Sequence, residues 1–459
     1  MVSRSRANLE ELQQKLVPYL QTKMPKAKGI TVSNMKAPES GFASETFMFN
    51  LDYEEAGKHH SRNMVFRRPP LLAVFPDYDL QRQFLVMQRL QGTNVPVPKV
   101  FWRVEQDEGL LGTPFYVMER LPGTTPPDFP LYHSAGSYHD ASPQKRAKMW
   151  WGSLDGIGKC HKVDWKKQRL DFLGAPKGGT TTIDGLVDYF DSMLKWVAKG
   201  EPQPVLEYAI KWLRENHYVP ERITFCWGDC RMPNTLYDPN GDVVALLDWE
   251  FSYLGDPISD LAWFLFLDWH SSEAYGIPKL EGTPSEEETI RRYEELTGWK
   301  AKNLLFNQVL APLRLGVPLV KLYKNLRSMG VTMLADDAEL NNPMTQRIAA
   351  LLNLPAPGKK KEVTKVEDMK VTLQFHFTGA DARDWYALFD HGQITTHAGR
   401  GETPVSTLTL SAADFEAIQR GELGTSDATL MGKVRIEGDV TLAGDLLERL
   451  LTKLGDKRP

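Results

Sequence analysis

Cysteine is scarce in this chain. There are three in 459 residues, Cys160, Cys226 and Cys230. Three thiols build no disulfide framework, so a reducing compartment is expected, and the cytoplasm is the expected location. A zinc reading of Cys226-x3-Cys230 with Cys160-His161 fits no common ligand spacing. The thiols are instead expected as small buried hydrophobes. An excess of one charge is also missing. The 55 Lys and Arg against 59 Asp and Glu leave a net charge of −4. That balance gives no sign of a nucleic-acid partner or an anionic membrane surface, and none is expected. Long apolar runs are missing too. The longest, Leu261–Leu267, falls far below the roughly 20 residues that span a bilayer, so it is expected as a buried helix. Met1–Leu20 is mixed in charge and has no apolar core of the secretory kind, so no leader is expected. Asp456-Lys457-Arg458-Pro459 does not form a peroxisomal address.

What is present is ordinary in bulk, with 42% hydrophobic and 25% charged residues. The length suits about three domain-sized units. The informative stretch is Phe225-Cys226-Trp227-Gly228-Asp229-Cys230-Arg231-Met232-Pro233-Asn234, followed by Leu246-Leu247-Asp248-Trp249. It supplies an Asp, an Asn five positions on, and a second Asp closing an apolar run. A phosphoryl-transfer site needs such a set. One carboxylate orients the attacking hydroxyl, while an amide oxygen and a second carboxylate hold Mg²⁺ on the ATP phosphates. The ligands must be hard oxygens on rigid turns, because the chemistry is mainly charge neutralisation and positioning. A capped turn followed by a strand accounts for the Asp-x4-Asn pattern alone equally well.

Downstream, Asp248-Trp249-Glu250 runs into Leu254-Gly255-Asp256-Pro257-Ile258-Ser259-Asp260-Leu261-Ala262. With these three stretches at this spacing, the chain resembles the aminoglycoside phosphotransferase family. It is most similar to the branch also fused to some acyl-CoA dehydrogenases. The resemblance implies a two-lobed protein-kinase-like fold over residues ~30–340, bound ATP and Mg²⁺, and a phosphotransferase acting on an alcohol group. It makes Asp229 the catalytic base, and Asn234 and Asp248 the metal ligands. Asp256 and Asp260 are expected to be structural caps, and His161 a structural partner of the loop. The family usually has His where Trp227 stands, which implies altered packing more than lost chemistry.

In the first lobe, the turn around Gly41 and Ser44 would cover the phosphates by the same resemblance, although a plain hairpin explains it equally. Arg67, ending the strand Met64–Arg68, would pair the phosphates, with Arg68 solvated on the other face. The next helix usually carries a Glu to hold that cation. Here the position is Gln83, whose amide could accept from Arg67 but brings no charge. Backbone groups around Glu119 and Leu121, with Met118 behind them, would take the adenine edge. Ser285-Glu286-Glu287-Glu288 and Glu294-Glu295 are expected to be a solvated helix face, so no acidic surface for a polycation is inferred.

Leu354-Pro355-Ala356-Pro357-Gly358-Lys359-Lys360-Lys361-Glu362 reads as an exposed linker. Beyond it, Val371, Leu373, Phe375 and Phe377 alternate with polar residues, as in a half-buried strand. Residues 364–459, through "STLTLSAADFEAIQRGEL" and "LMGKVRIEGD", resemble the sterol carrier protein type 2 family. That implies a small α/β domain around an apolar tunnel for a fatty acyl chain, acyl-CoA or sterol. Trp385, Tyr386, Leu388, Phe389, Met431, Leu442, Leu446 and Leu450 would line it, or simply fill a solid core.

The expected architecture is α+β, a kinase-like fold followed by a sterol-carrier-like domain. Its parts are an N-lobe over 1–119, a helical C-lobe over 120–355, a linker over 356–363 and the carrier domain over 364–459. The expected function is ATP-dependent phosphorylation of a hydroxyl on a small, acyl or lipid-derived metabolite, coupled to apolar-ligand binding. The alternative is a weakly active nucleotide-binding pseudokinase that regulates lipid loading. A third reading makes the last domain only a dimerisation or docking module.

Overall fold

A computed structural model describes residues 9–36, 45–69, 79–105, 113–174, 182–328, 335, 337–355, 357, 370–379, 382–420, 423, 428, 433–438 and 440–455. By internal contacts the chain divides into two compact units, one of Val2–Pro318 with Pro343–Leu354, the other of Leu319–Asn342 with Pro355–Pro459.

The first unit begins with α1 (Leu9–Lys23), β1 (Lys28–Lys36), β2 (Glu45–Glu55), β3 (Lys58–Arg68), α2 (Leu80–Leu90), β4 (Val100–Val104) and β5 (Phe115–Glu119). The strands form one antiparallel sheet in the order β1-β2-β3-β5-β4. Its packing follows from the period-two pattern of β2. Phe47, Phe49, Leu51 and Tyr53 fall on one face and meet Leu12, Leu16 and Leu20 of α1, spaced four apart. β3 ends in a buried run, Met64–Arg67, at the centre of this sheet. Arg68 is half-buried, its guanidinium 5.3 Å from the Phe47 ring, rather than fully solvated as expected from the sequence.

The helical part holds α3 (Gly136–His139), α4 (Pro143–His161), α5 (Thr182–Ala198) and α6 (Pro204–Glu215). Next come the short strands β6 (Thr224–Cys226), β7 (Thr235–Tyr237), β8 (Val243–Leu246) and β9 (Tyr253–Gly255). α7 (Pro257–His270), α8 (Glu286–Thr297), α9 (Leu304–Ser328) and α10 (Pro343–Leu351) follow. β6 pairs with β9, and β7 with β8. The apolar run expected as a buried helix lies within α7, where Pro257–Asp268 are all buried. Asp256 caps this helix, its carboxylate accepting from Ile258 N–H at 3.0 Å. Ser285 and Glu288 form a capping box on α8, and Glu287 and Glu288 are exposed there.

The second unit contains β10 (Lys370–Thr378), β11 (Arg383–Asp390), β12 (Gln393–Ala398), β13 (Ser406–Ser411), α11 (Ala412–Gln419), β14 (Val434–Gly438) and α12 (Val440–Gly455). The sheet order is β12-β11-β10-β13-β14, with β10 and β13 parallel. Leu446, Leu447 and Leu450 of α12 close the core over Leu373, Phe375, Phe377 and Leu408. Among the described residues, no helix is long and apolar enough to cross a membrane.

Candidate active site

The loop after β6 is fixed from below before it presents any chemistry. Gly228 has φ of 87°, and a Cβ there would lie 2.0 Å from Phe251 O, so only glycine fits. Asp260, in the first turn of α7, accepts the N–H of Trp227 at 2.7 Å and of Gly228 at 3.1 Å. His161 lies 3.3 Å from Asp260 and 2.8 Å from the Tyr293 hydroxyl, both buried. His161, Cys226 and Asp260 come within 4.8 Å of one another. Their ligand atoms are engaged in this hydrogen-bonded cluster, with Cys226 Sγ 3.6 Å from Asp256 O. Arg314 of α9 donates to Gly228 O and lies over the Trp263 ring at 4.5 Å. The three cysteines are free and buried.

On this base stands Asp229, 6% exposed. Its Oδ1 accepts from Trp263 Nε1 at 3.0 Å. Its Oδ2 accepts from Asn234 Nδ2 at 2.7 Å and Arg231 Nε at 3.0 Å. Burial, and then the charge of Asp248, push the Asp229 carboxyl up to about 7. Leu247 N–H donates to Asn234 O at 2.8 Å, which fastens the end of β8 to the Asn-bearing turn. Asp248 then takes φ of 59°, a left-handed conformation that turns the chain sharply after the strand. Arg67, buried at the end of β3, donates to Asp248 Oδ1 at 3.3 Å. Burial works against the Arg67 charge, but Asp248, Tyr116 and Glu250 outweigh it and raise its pKa. Glu250 Oε2 is buried without a hydrogen-bond partner among the described residues. Burial and the Asp248 charge push this carboxyl well above its ordinary value.

Asp229 and Asn234 on one loop, Asp248 after β8 and Arg67 at the end of β3 thus converge on one site. Residues 35–296 match the phosphotransferase enzyme family. The chain belongs to that family. Residues 348–450 match the SCP-2 sterol transfer family. The chain is 31% identical over 210 residues to mouse acyl-CoA dehydrogenase family member 10, covering 44% of this chain and 18% of that protein. It is 28% identical over 239 residues to human acyl-CoA dehydrogenase family member 11, covering 50% of this chain and 28% of that one. The chain therefore spans less than a third of either relative. A crystal structure of a candidate aminoglycoside phosphotransferase from Ralstonia eutropha superposes with a TM-score of 0.55 at 23% identity. The match covers 74% of this chain and 98% of that one, and shows a shared kinase-like fold.

Against the usual pattern of this phosphotransferase family, two positions differ, and the structure gives each a local account. Gln83 does not accept from Arg67, as its place on α2 suggests. It is 1% exposed, and its Oε1 accepts from the Tyr116 hydroxyl at 3.0 Å. The Tyr116 phenol is pushed up to about 12 by burial, with the Arg67 guanidinium acting the other way. Trp227 is fully buried, and its indole N–H donates to Leu247 O at 2.9 Å. An imidazole N–H is also a donor of this kind.

Met118 is buried on β5, while Glu119 and Leu121 are half-buried. The Glu119 N–H donates to Lys99 O at 2.8 Å and that of Arg120 to Asn63 O at 3.0 Å, so these two amides already serve the sheet. Gly41 and Ser44 lie outside the described residues, as does Met431 in the second unit. There, Phe389, Leu446 and Leu450 are in the core, with Trp385 packed against it. Tyr386 and Leu388 are corrections. They alternate with buried Ala387 and Phe389, so they point to the opposite face of the sheet, where Tyr386 stacks on His397 at 5.0 Å.

Sequence reasoning missed Arg231, Trp263 and Glu250. Arg231 and Glu250 each lie two positions beyond a carboxylate already singled out, and that spacing was the available signal. Trp263 was one tryptophan among 12. Only the approach of α7 to the loop distinguishes it.

Proposed function

We propose that the chain transfers the γ-phosphoryl group of ATP to a hydroxyl of a small metabolite. The observation that carries this is the Asp229 carboxyl, held on both oxygens by Trp263, Asn234 and Arg231 with its pKa raised to about 7, facing Asp248. A general base works best when its pKa lies near the working pH. Asp229 orients the acceptor hydroxyl and takes its proton. Arg67 is the cation available to the phosphates. The donor set suits Mg²⁺. Asn234 uses its amide nitrogen on Asp229, which leaves its carbonyl oxygen as a ligand atom. Asp248 and the unpartnered Glu250 oxygen add hard carboxylate donors. Bound Mg²⁺ would supply charge neutralisation on the phosphates. Glu119 to Leu121, with Met118 behind, would receive the adenine.

The acceptor we propose is a hydroxylated acyl or lipid-derived compound. Three features support this: the nearly balanced charge of the chain, the likeness to proteins named acyl-CoA dehydrogenase family members, and the SCP-2 segment. The second unit would bind the apolar part of such a ligand through Trp385, Phe389, Met431, Leu446 and Leu450. A pseudokinase reading is favoured by one feature, the neutral Gln83 engaged with Tyr116.

ATP turnover with Mg²⁺, wild type against Asp229→Ala, over a panel of hydroxylated acyl compounds and small metabolites separates the two. Turnover that needs both an acceptor and Asp229 is the expected result. Nucleotide binding without Asp229-dependent turnover on any acceptor would favour the pseudokinase.

A further inference from the structure

Helix α2 makes polar contacts in two directions. Gln83 reaches Tyr116 within the first sheet's neighbourhood. Arg82, one residue earlier, reaches the turn that follows Asp248. Its Nε donates to Ser252 O at 3.1 Å, and its Nη2 donates to the same oxygen. Two donors from one planar guanidinium on one carbonyl fix direction as well as distance. The Arg82 backbone is itself held, its N–H donating to the capping Asp79 carboxylate at 2.9 Å.

Ser252 is fully buried and sits at a junction. Its hydroxyl lies 2.9 Å from Trp249 O and 3.2 Å from Trp227 O. One residue therefore touches the segment just after Asp248, the residue just before Gly228 and helix α2. Asp248 has φ of 59°, a conformation that an L-residue keeps only when its surroundings hold it. Phe251, the neighbour of Ser252, offers the carbonyl that closes over Gly228. The turn from Trp249 to Ser252 thus follows directly on Asp248 and is tied to the catalytic loop at Trp227 and Gly228.

We propose that Arg82 is a positioning residue for phosphoryl transfer, clamping the turn after Asp248 to α2. It would take over the mechanical part of the task that a carboxylate–cation pair between α2 and β3 would otherwise perform. This rests on the kinase reading of the site. Arg82 acts through the Ser252 carbonyl on the placement of Asp248.

The test measures Mg²⁺-dependent ATP turnover and the thermal shift on adding ATP with Mg²⁺ or with EDTA, using the full chain. Arg82→Ala is expected to raise the Mg²⁺ concentration for half-maximal turnover by about 10–100-fold, the effect of losing a residue that orients a metal ligand. Arg82→Lys, which keeps a single donor, is expected to fall between. Arg214→Ala, removing exposed pairs with Asp188 and Asp191 on α5, is the control and should match wild type. An Arg82→Ala protein that is less heat-stable but has wild-type Mg²⁺ dependence would overturn the assignment while leaving the kinase reading intact. A wild type that shows the Mg²⁺-dependent shift but no turnover would overturn the kinase reading. Loss of that shift in Arg82→Ala would then still support the clamp. A wild type with neither overturns both.

Discussion

Arg67 and Asp248 are 181 residues apart in sequence and 3.3 Å apart in space. The pair joins the edge of the first lobe's central strand to the turn that would hold the metal. Asp248 is the largest compensation for the buried Arg67 charge. Arg67→Met should therefore lower unfolding stability by about 3 kcal/mol, because Asp248 is left without its cation. Adding Asp248→Asn should recover part of that loss. A double-mutant cycle read by urea unfolding checks both.

Gly228→Ala should be severely damaging. The new Cβ would meet the Phe251 carbonyl at 2.0 Å, and the backbone there has φ of 87°. Backbone cannot move aside as a flexible side chain can. The expected outcome is loss of folded protein or a fall in stability above about 2 kcal/mol. Thermal melting and yield of folded protein measure it.

Trp227 offers a graded test of the residue that replaces the family's usual histidine. Trp227→Ala should cost about 3–5 kcal/mol through the cavity. Trp227→Phe keeps most of the ring but leaves Leu247 O without its donor, and should cost about 1–3 kcal/mol. Trp227→His restores a donor. It should retain more ATP turnover than Trp227→Ala, if the hydrogen bond to Leu247 O is what keeps β8 in register with the loop. Urea unfolding and turnover on the same three proteins decide this.

Asp268 gives a pH-dependent prediction. It is buried, and its Oδ1 lies 2.8 Å from both the Tyr132 hydroxyl and His133 Nε2, with Lys279 Nζ 2.8 Å from Oδ2. Burial raises its pKa, but the His133 hydrogen bond and the Lys279 charge prevail and hold it below the ordinary carboxylate value. An acid with a depressed folded pKa stabilises the fold above its unfolded pKa and loses that contribution as pH falls through the folded one. Asp268→Asn should thus be destabilised by about 3 kcal/mol at pH 7. The gap to wild type should stay constant down to about pH 4 and shrink below it. Urea unfolding of both proteins across that range tests the sign.

Much of the candidate site was legible because three of its polar residues lie close together in sequence. Asp229, Asn234 and Asp248 lie within 20 positions, and two of them share one loop. The helices and strands were legible for a similar reason. α1, α12 and β10 carry their burial pattern in the spacing of their own apolar residues. Arg67 could be picked out only through the family resemblance, since a basic residue ending a strand has no chemistry of its own to announce.

What the sequence determined by itself was local. It carried the identity of the candidate oxygen ligands, the glycine that the loop requires, the periodicity of each element and the balanced charge. The tertiary structure alone decided the partners. Asp229 meets Trp263 from α7, Arg67 meets Asp248 across the lobes, Gln83 turns to Tyr116, and Arg82 reaches Ser252. Hydrogen bonds and ion pairs act over about 3 Å. Which donor comes that close to which acceptor depends on how separate elements pack, and spacing along the chain does not encode it.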